Sequence, residues 1–224
     1  VVCAASLGLR MIPGVDRPGI GTTIPTLKGP AFIIDVGANI EPKPKHLQHY
    51  AVMASVYAKI VLEKENPVIG LLNIGEEESK GSGFHKEAFA LLKDVPGFVG
   101  NIEAKHMFNG ECDCIITDGI IGNVALKVGE ATAETIGELL RRQVKGNILA
   151  MLGLPFFMPN LRGLKKKMDY AEYGGAPLLG VDGVVIIGHG RSKAKAVMNA
   201  LKAGYREMNE NINQYIQKEI NAYA

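Results

Sequence analysis

A chain of 224 residues with 47% hydrophobic and 21% charged residues can bury a proper core, which excludes a disordered polymer. A net charge of only +2 argues against a broad nucleic-acid footprint, and no apolar run is long enough to span a bilayer. Three cysteines are too few for a disulfide framework and point to a reducing compartment.

Taken in chain order, Val1 to Leu9 reads as the end of a buried helix, closed by Pro13-Gly14. The chain does not begin with Met and has no basic leader, so it reads as an interior piece of a longer protein and not as a signal peptide. A loop follows through Asp16-Arg17-Pro18, and Thr22 to Pro30 reads as irregular. Phe32 to Asn39 is an apolar strand ending in Asp35 and a glycine turn. Pro42 and Pro44 lead into a helix with Leu47, Tyr50, Ala51, Ala54, Tyr57, Ala58 and Val61 at helical spacing. His46 and His49 lie three apart on it with no evident third metal ligand, and read as partly exposed helix residues. Asn66 to Glu78 is again strand and glycine turn, His85 to Asp94 a short helix, and Phe98 to Ala104 another strand. Cys112 to Thr117 is a short apolar strand whose two cysteines, two residues apart, share one face and read as buried thiols. A helix then runs to about Val144. Val184 to Ile187 is a last strand, and Ser192 to Ala222 a long closing helix. Strands separated by helices of this length imply βαβ units: an α/β fold with a mainly parallel sheet and flanking helices.

Three strand ends share one design. Asp35 to Asn39, Asn73 to Glu76 and Asp118 to Asn123 each put a polar residue and a glycine just past an apolar strand. Ligands of open parallel sheets bind beside the carboxyl ends of the strands, so these loops point to one cleft. In the third loop, strand, glycine turn and helix start follow in sequence. Unpaired first-turn amides attract an anion there, Gly119 and Gly122 let the backbone approach it, and Asn123 reads as the N-cap. The alternative is an ordinary βα turn. Glu76, Glu77 and Glu78 repel each other unless cations lie near, and Lys80 and Lys127 are the candidates to supply them. Common catalytic signatures are absent: there is no G-x-S-x-G elbow, and His189 stands where a phosphate-binding loop needs Lys. The chain offers anion cradles and no activated nucleophile.

Read together, IDVGAN (Ile34 to Asn39), GLLNIGEEESKG (Gly70 to Gly81), TDGIIGNVALK (Thr117 to Lys127) and DYAEYGGAPLLGV (Asp169 to Val181) resemble the bacterial PlsX-type phosphate acyltransferases. GVDRPGI (Gly14 to Ile20) and HGRS (His189 to Ser192) extend the resemblance over nearly the whole chain. It implies acyl transfer from acyl-carrier protein to inorganic phosphate, yielding acyl phosphate for phospholipid synthesis, on a fold similar to isocitrate and isopropylmalate dehydrogenases and to phosphotransacetylases. It implies a homodimer, a single domain over residues 1–224 that lacks its amino-terminal part, and no metal or organic cofactor. In that light Lys80 stabilises phosphate or the oxyanion, Asn123 orients by hydrogen bonding, and Asp118 and Asp35 order the loops or hold a proton. Gly37, Asn39, Asn73, Gly75, Glu76, Gly81, Gly119, Gly122, Lys127 and His189 complete the expected substrate site. The plain alternatives are a surface charge for Lys80 and a helix cap for Asn123. Where the family has Asn after its lysine and glycine, this chain has Ser82-Gly83, so hydrogen bonding there differs. Rival functions are a short-chain phosphotransacetylase using coenzyme A and a non-catalytic docking homologue.

The stretch Ile148 to Tyr170 is the most apolar exposed candidate, broken by Pro155 and Pro159 into two short helices. Leu149, Leu152, Leu154, Phe156 and Phe157, followed by Arg162 and Lys165 to Lys167, suit an interfacial anchor on an anionic membrane surface or a dimer contact. The resemblance implies a helical hairpin insertion over about 146–170, on a cytoplasmic protein docked to the inner membrane face.

Overall fold

The computed structural model describes residues 1–147, 150–151, 153–159, 163, 174–188, 190 and 192–223. Among the described residues seven strands pair into one sheet: β1 (Gly19–Thr26), β2 (Gly29–Ile34), β3 (Ile69–Leu72), β4 (Phe98–Ile102), β5 (Cys114–Ile116), β6 (Ala176–Leu179) and β7 (Ile186–Ile187), in the order β4-β3-β5-β2-β1-β6-β7. β2, β3, β4 and β5 are mutually parallel, whereas β1 is antiparallel to both β2 and β6, and β7 to β6. Five of the seven strands therefore share one direction, as the alternating pattern implies. Ala31 to Ile34 of β2 and all three residues of β5 are buried, the unbroken apolar signature of strands covered on both faces.

The helices are α1 (Val2–Leu9), α2 (Pro44–Ile60), α3 (Gly83–Leu92), α4 (His106–Asn109), α5 (Gly119–Lys145), α6 (Ala194–Asn209) and α7 (Ile212–Ile220). α2 starts on Pro44, which fits a first helical turn because its missing N–H has no partner to lose. Its Leu47, Tyr50, Ala51, Ala54, Tyr57 and Ala58 are all buried, packed with α3, α7, β2 and β5, and Tyr57 stacks on Phe32 of β2 at 4.2 Å. The other face of the sheet carries a second cluster in which Leu126 of α5 packs on Ile24, Ile33, Val36 and Met107.

Several expectations are corrected. The Thr22 to Pro30 stretch is not irregular but the second half of β1 and the start of β2, since the β-branched Thr22, Thr23, Ile24 and Thr26 suit a strand despite Pro25. Pro25 pairs with Pro30 near the hairpin end. Ala176 to Leu179 is a strand that follows Gly174 and Gly175, and the closing helix breaks at Asn211, whose φ of 52° is left-handed. Cys112 and Cys114 do not share a face: β5 begins only at Cys114, so strand alternation does not reach back to Cys112, and the two thiols pack in different core clusters. Burial pushes the Cys112 thiol up to about 11. Residues 153–159 are all helical, so Pro155 does not end a helix there. No helix among the described residues is long and apolar enough to cross a membrane.

Candidate functional site

Topology settles where the three loops go. β3, β5 and β2 are adjacent and parallel, and their registers align Leu71 with Ile116 and Ile116 with Ile34. Each strand continues at the same sheet edge into its loop: Asn73, Asp118 and Asp35. The convergence comes from pairing, not from side-chain chemistry.

At the β2 end, Asp35 is fully buried and its carboxylate is saturated by donors. Oδ1 accepts from the N–H groups of Ile20 (3.2 Å), Gly37 (3.0 Å) and Ala38 (2.8 Å), and Oδ2 from Asn39 N–H (2.8 Å) and the Asn39 amide (3.3 Å). Burial raises its proton affinity, and the backbone N–H groups oppose that rise. Asn39 also donates to Pro18 O and to the Tyr50 hydroxyl, so its amide braces the loop from inside.

The β5 end corrects the expected cap. Asp118, not Asn123, is the N-cap of α5: its Oδ1 accepts from Ile120 N and Ile121 N, both at 2.9 Å. Gly119 N–H goes to Asn39 O at 3.1 Å and Gly122 N–H to Asp118 O at 2.9 Å. The first-turn amides of α5 thus already hold an internal carboxylate and carbonyls. The close approach that Gly119 and Gly122 permit is to the β2 loop, because a Cβ would lie 2.3 Å from Asn39 O at Gly119 and 1.9 Å from Asp35 O at Gly122. Asn123, one turn into the helix, faces Gly37, where an added Cβ would meet its Cγ at 3.8 Å.

At the β3 end, Asn73 donates to Lys80 O (3.3 Å) and to Asn101 Oδ1 (3.2 Å), while Asn101 donates to Glu77 O (2.9 Å). Gly81 adopts φ +86°, and a Cβ on it would strike the Asn73 amide at 2.8 Å. The acidic run is charge-matched: Glu76 with Lys105 at 3.0 Å, Glu77 with Lys80 at 3.9 Å, and Glu78 with Lys93 at 2.6 Å. The Lys105 ammonium holds the Glu76 carboxyl below its usual range. Lys127 is not among these partners; it is exposed on α5. α3 opens just after this loop, and its N-cap Ser82 makes no side-chain cap; the Ser82 hydroxyl sits 2.9 Å from His85 Nδ1.

The structure therefore forms two groups at one edge. Asp35, Gly37, Asn39, Asp118, Gly119, Gly122 and Asn123 are in mutual contact; Asn73, Gly75, Glu76, Lys80 and Gly81 belong to the neighbouring loop. Asn123 also lines a cavity of about 810 Å³ between β1 and α5, and Lys80 does not. His189, Leu149 and Leu152 lie outside the described residues. Leu154 is partly buried, whereas Phe156 and Phe157 are 80% and 63% exposed. His46 and His49 are buried instead of partly exposed, because their Nδ1 atoms accept from Lys43 N–H (3.0 Å) and Asp16 N–H (3.5 Å). Burial lowers the proton affinity of both rings. Asn101 and Tyr50 are the bracing residues that the sequence reading missed. No local motif marks them, since each acts through a partner 28 and 11 residues away.

Comparison with known proteins bears on the family and the fold. A family model described as "Fatty acid synthesis protein" matches residues 1–215. The chain is 46% identical over 220 residues to a phosphate acyltransferase of Heliobacterium modesticaldum, covering 98% of this chain and 66% of that one. It is 49% identical over 203 residues to the phosphate acyltransferase of Carboxydothermus hydrogenoformans, covering 90% and 62%. It thus spans about two thirds of the length of these curated relatives. Among solved structures it is similar to the EutD phosphotransacetylase of Staphylococcus aureus, with a TM-score of 0.54 and 14% identity over 99% of this chain and 59% of that one. A phosphotransacetylase of Streptococcus pyogenes matches with a TM-score of 0.51 and 18% identity, over 59% and 47%. At these identities the structural likeness is one of fold.

Proposed function

The chain belongs to the fatty acid synthesis protein family, in which its curated relatives are phosphate acyltransferases, and from that premise we propose that it forms acyl phosphate from an acyl thioester and inorganic phosphate. The donor in this reading is acyl-carrier protein, and the product feeds phospholipid synthesis. A phosphate oxygen attacks the thioester carbonyl carbon, the C–S bond breaks as the tetrahedral centre collapses, and the thiol leaves with the proton that phosphate gives up. Phosphate is itself the nucleophile, so the site has to bind the anion, align it and stabilise the oxyanion.

The observation that carries the reading is the alignment of three polar-glycine loops at one sheet edge, set by the parallel pairing of β3, β5 and β2. With the α5 amides engaged by Asp118, the anion falls to Lys80, whose exposed ion pair with Glu77 is long and readily exchanged, and to the α3 amides that Ser82 leaves uncapped. Asn123 orients the carbonyl. Asp35 and Asp118 act as loop anchors, because both Asp35 oxygens and Asp118 Oδ1 already accept from backbone N–H groups.

Hydroxylamine trapping of acyl phosphate tests this. Palmitoyl-carrier protein plus phosphate is expected to give product with wild type, and about a hundredfold less with Lys80→Ala. A folded variant turning over at the wild-type rate removes Lys80 from the chemistry. Preference for acetyl-coenzyme A moves the reading to short-chain phosphotransacetylation, and no product from either donor leaves a docking homologue. The proposal also includes a homodimer and docking to the inner membrane face through the apolar stretch containing Phe156 and Phe157. Phe156→Glu with Phe157→Glu is expected to abolish flotation on anionic vesicles; undiminished flotation would remove the membrane claim.

A further inference from the structure

The mutual direction of β1 and α5 builds a second feature that the phosphate chemistry does not use. β1 is antiparallel to β2, so Ile20 lies at the edge where the three loops converge and Leu27 follows the far end of the strand. α5 starts at that same edge and runs alongside. Beyond Ile20, β1 has no partner strand on its β6 side among the described residues, since that pairing involves only Gly19 and Ile20. The unpaired stretch and α5, with Gly175, Ala176, Ile187 and Gly188 on the β6–β7 side, line the cavity of about 810 Å³, within the ~300–1,000 Å³ typical of small-molecule sites.

The lining grades along its length. Asn123 and Val36 stand at the loop edge; Ile24, Met107 and Leu126 form the middle; Leu27, Phe108 and Ala133 lie far along. Leu126, Gly129 and Ala133 follow Asn123 at spacings that keep one face of α5 on the cavity. Among the described lining residues Glu130 is the one charged group, and its carboxylate disfavours an anion midway, leaving the mouth as the place for an anionic head. Ten residues of helix from Asn123 to Ala133 make the cavity roughly 15 Å long. An extended chain advances about 1.2 Å per bond, so roughly a dozen bonds fit.

We propose that this groove holds the alkyl tail of the acyl donor, with the thioester carbonyl at Asn123 and the methyl end among Leu27, Phe108 and Ala133. The proposal rests on the acyl-phosphate reading above and adds to it the place of the tail, a groove with room for about a dozen carbons. A polar mouth at the phosphate edge, joined to an apolar trench, matches an amphiphile carrying its reactive group at the head. Gly129 keeps the floor open, since a Cβ there would already meet Phe108 Cζ at 3.3 Å.

Two experiments on the whole chain test it. In the first, a palmitoyl thioester with a diazirine near its methyl end is photolysed on wild type and the adducts are mapped by mass spectrometry. Adducts on peptides carrying Leu27, Phe108 or Ala133 are expected, and they should fall at least fivefold in Ala133→Trp. Adducts confined to α6 or to residues 150–159, or unchanged by the tryptophan, overturn the proposal; they would leave the groove to polypeptide from a longer chain or a second copy. In the second, KM for acyl-carrier proteins of rising chain length is expected to fall about fourfold per added methylene until the groove is full. Equal KM for butyryl and palmitoyl donors sinks the groove while leaving acyl-phosphate formation standing. Absence of acyl phosphate from every donor sinks that reading instead, and the photolabelling, which needs no turnover, still decides the groove.

Discussion

Glu207 shows how far a single carboxyl can depart from its ordinary chemistry. It is only 6% exposed on α6, and its Oε1 has no hydrogen-bond partner among the described residues. Its neighbour Arg206 donates elsewhere, to Ile60 O at 3.2 Å and Glu63 at 3.0 Å. Burial pushes its pKa up to about 8, so the folded chain holds a proton that the unfolded chain releases near the ordinary carboxyl value. The native state therefore binds more protons in this window, and the contribution is complete below the unfolded pKa and is lost as pH rises through about 8. The amount at stake is on the order of 5 kcal/mol. Urea unfolding between pH 5 and pH 9 should show the wild type losing several kcal/mol relative to Glu207→Gln, a difference in which the common slope from the buried His46 and His49 cancels. Equal slopes for the two proteins would show that this carboxyl is not held neutral. Such a role is invisible in the sequence, where Glu207 sits in an ordinary charged helix. Asp35 was legible, because an acid right after an apolar strand and before glycines has few other uses. Its five donors were not, since Ile20 reaches it only once β1 lies beside β2.

α5 joins two of the loops, and its glycines divide by what they touch. Gly122 has the Asp35 carbonyl where a Cβ would be, at 1.9 Å, whereas Gly137 has nothing within 4 Å. Gly122→Ala must push helix and loop apart, at a cost of about 3 kcal/mol or more. Gly137→Ala on the same helix should stabilise by roughly 0.5–1 kcal/mol through helix propensity alone. Chemical denaturation of the pair checks both signs; a neutral Gly122→Ala would mean that the loop contact is not held. The parallel strands and their helices were readable because each carries a short apolar run ended by glycine and followed by helical spacing. β1 and β6 were not, since β1 mixes glycine, proline and threonine, β6 is only the short Ala-Pro-Leu-Leu run, and both owe their strand state to antiparallel neighbours 3 to 160 residues away. The cap of α5 was misread for a related reason: Asp118 and Asn123 are both good cap residues, and only the meeting of Gly119 with the Asn39 carbonyl selects the earlier one.

In the molecule as a whole, the edge where β2, β3 and β5 end is the one proposed to hold the anion, and the apolar groove opens beside Val36 and Asn123 at the β2 and β5 ends of that edge. Family membership and loop order could be read from the chain; the groove could not, because it depends on β1 being a strand that, among the described residues, pairs with β2 alone beyond Ile20. The central claim is that inorganic phosphate sits at this edge beside Lys80. A crystal of the chain soaked in phosphate tests it most directly. The account predicts an ordered phosphate within hydrogen-bond distance of Lys80 Nζ, between the Asn73–Ser82 loop and the start of α3. A phosphate ordered at the opposite end of the sheet, with that edge left empty in the same crystal, would contradict it.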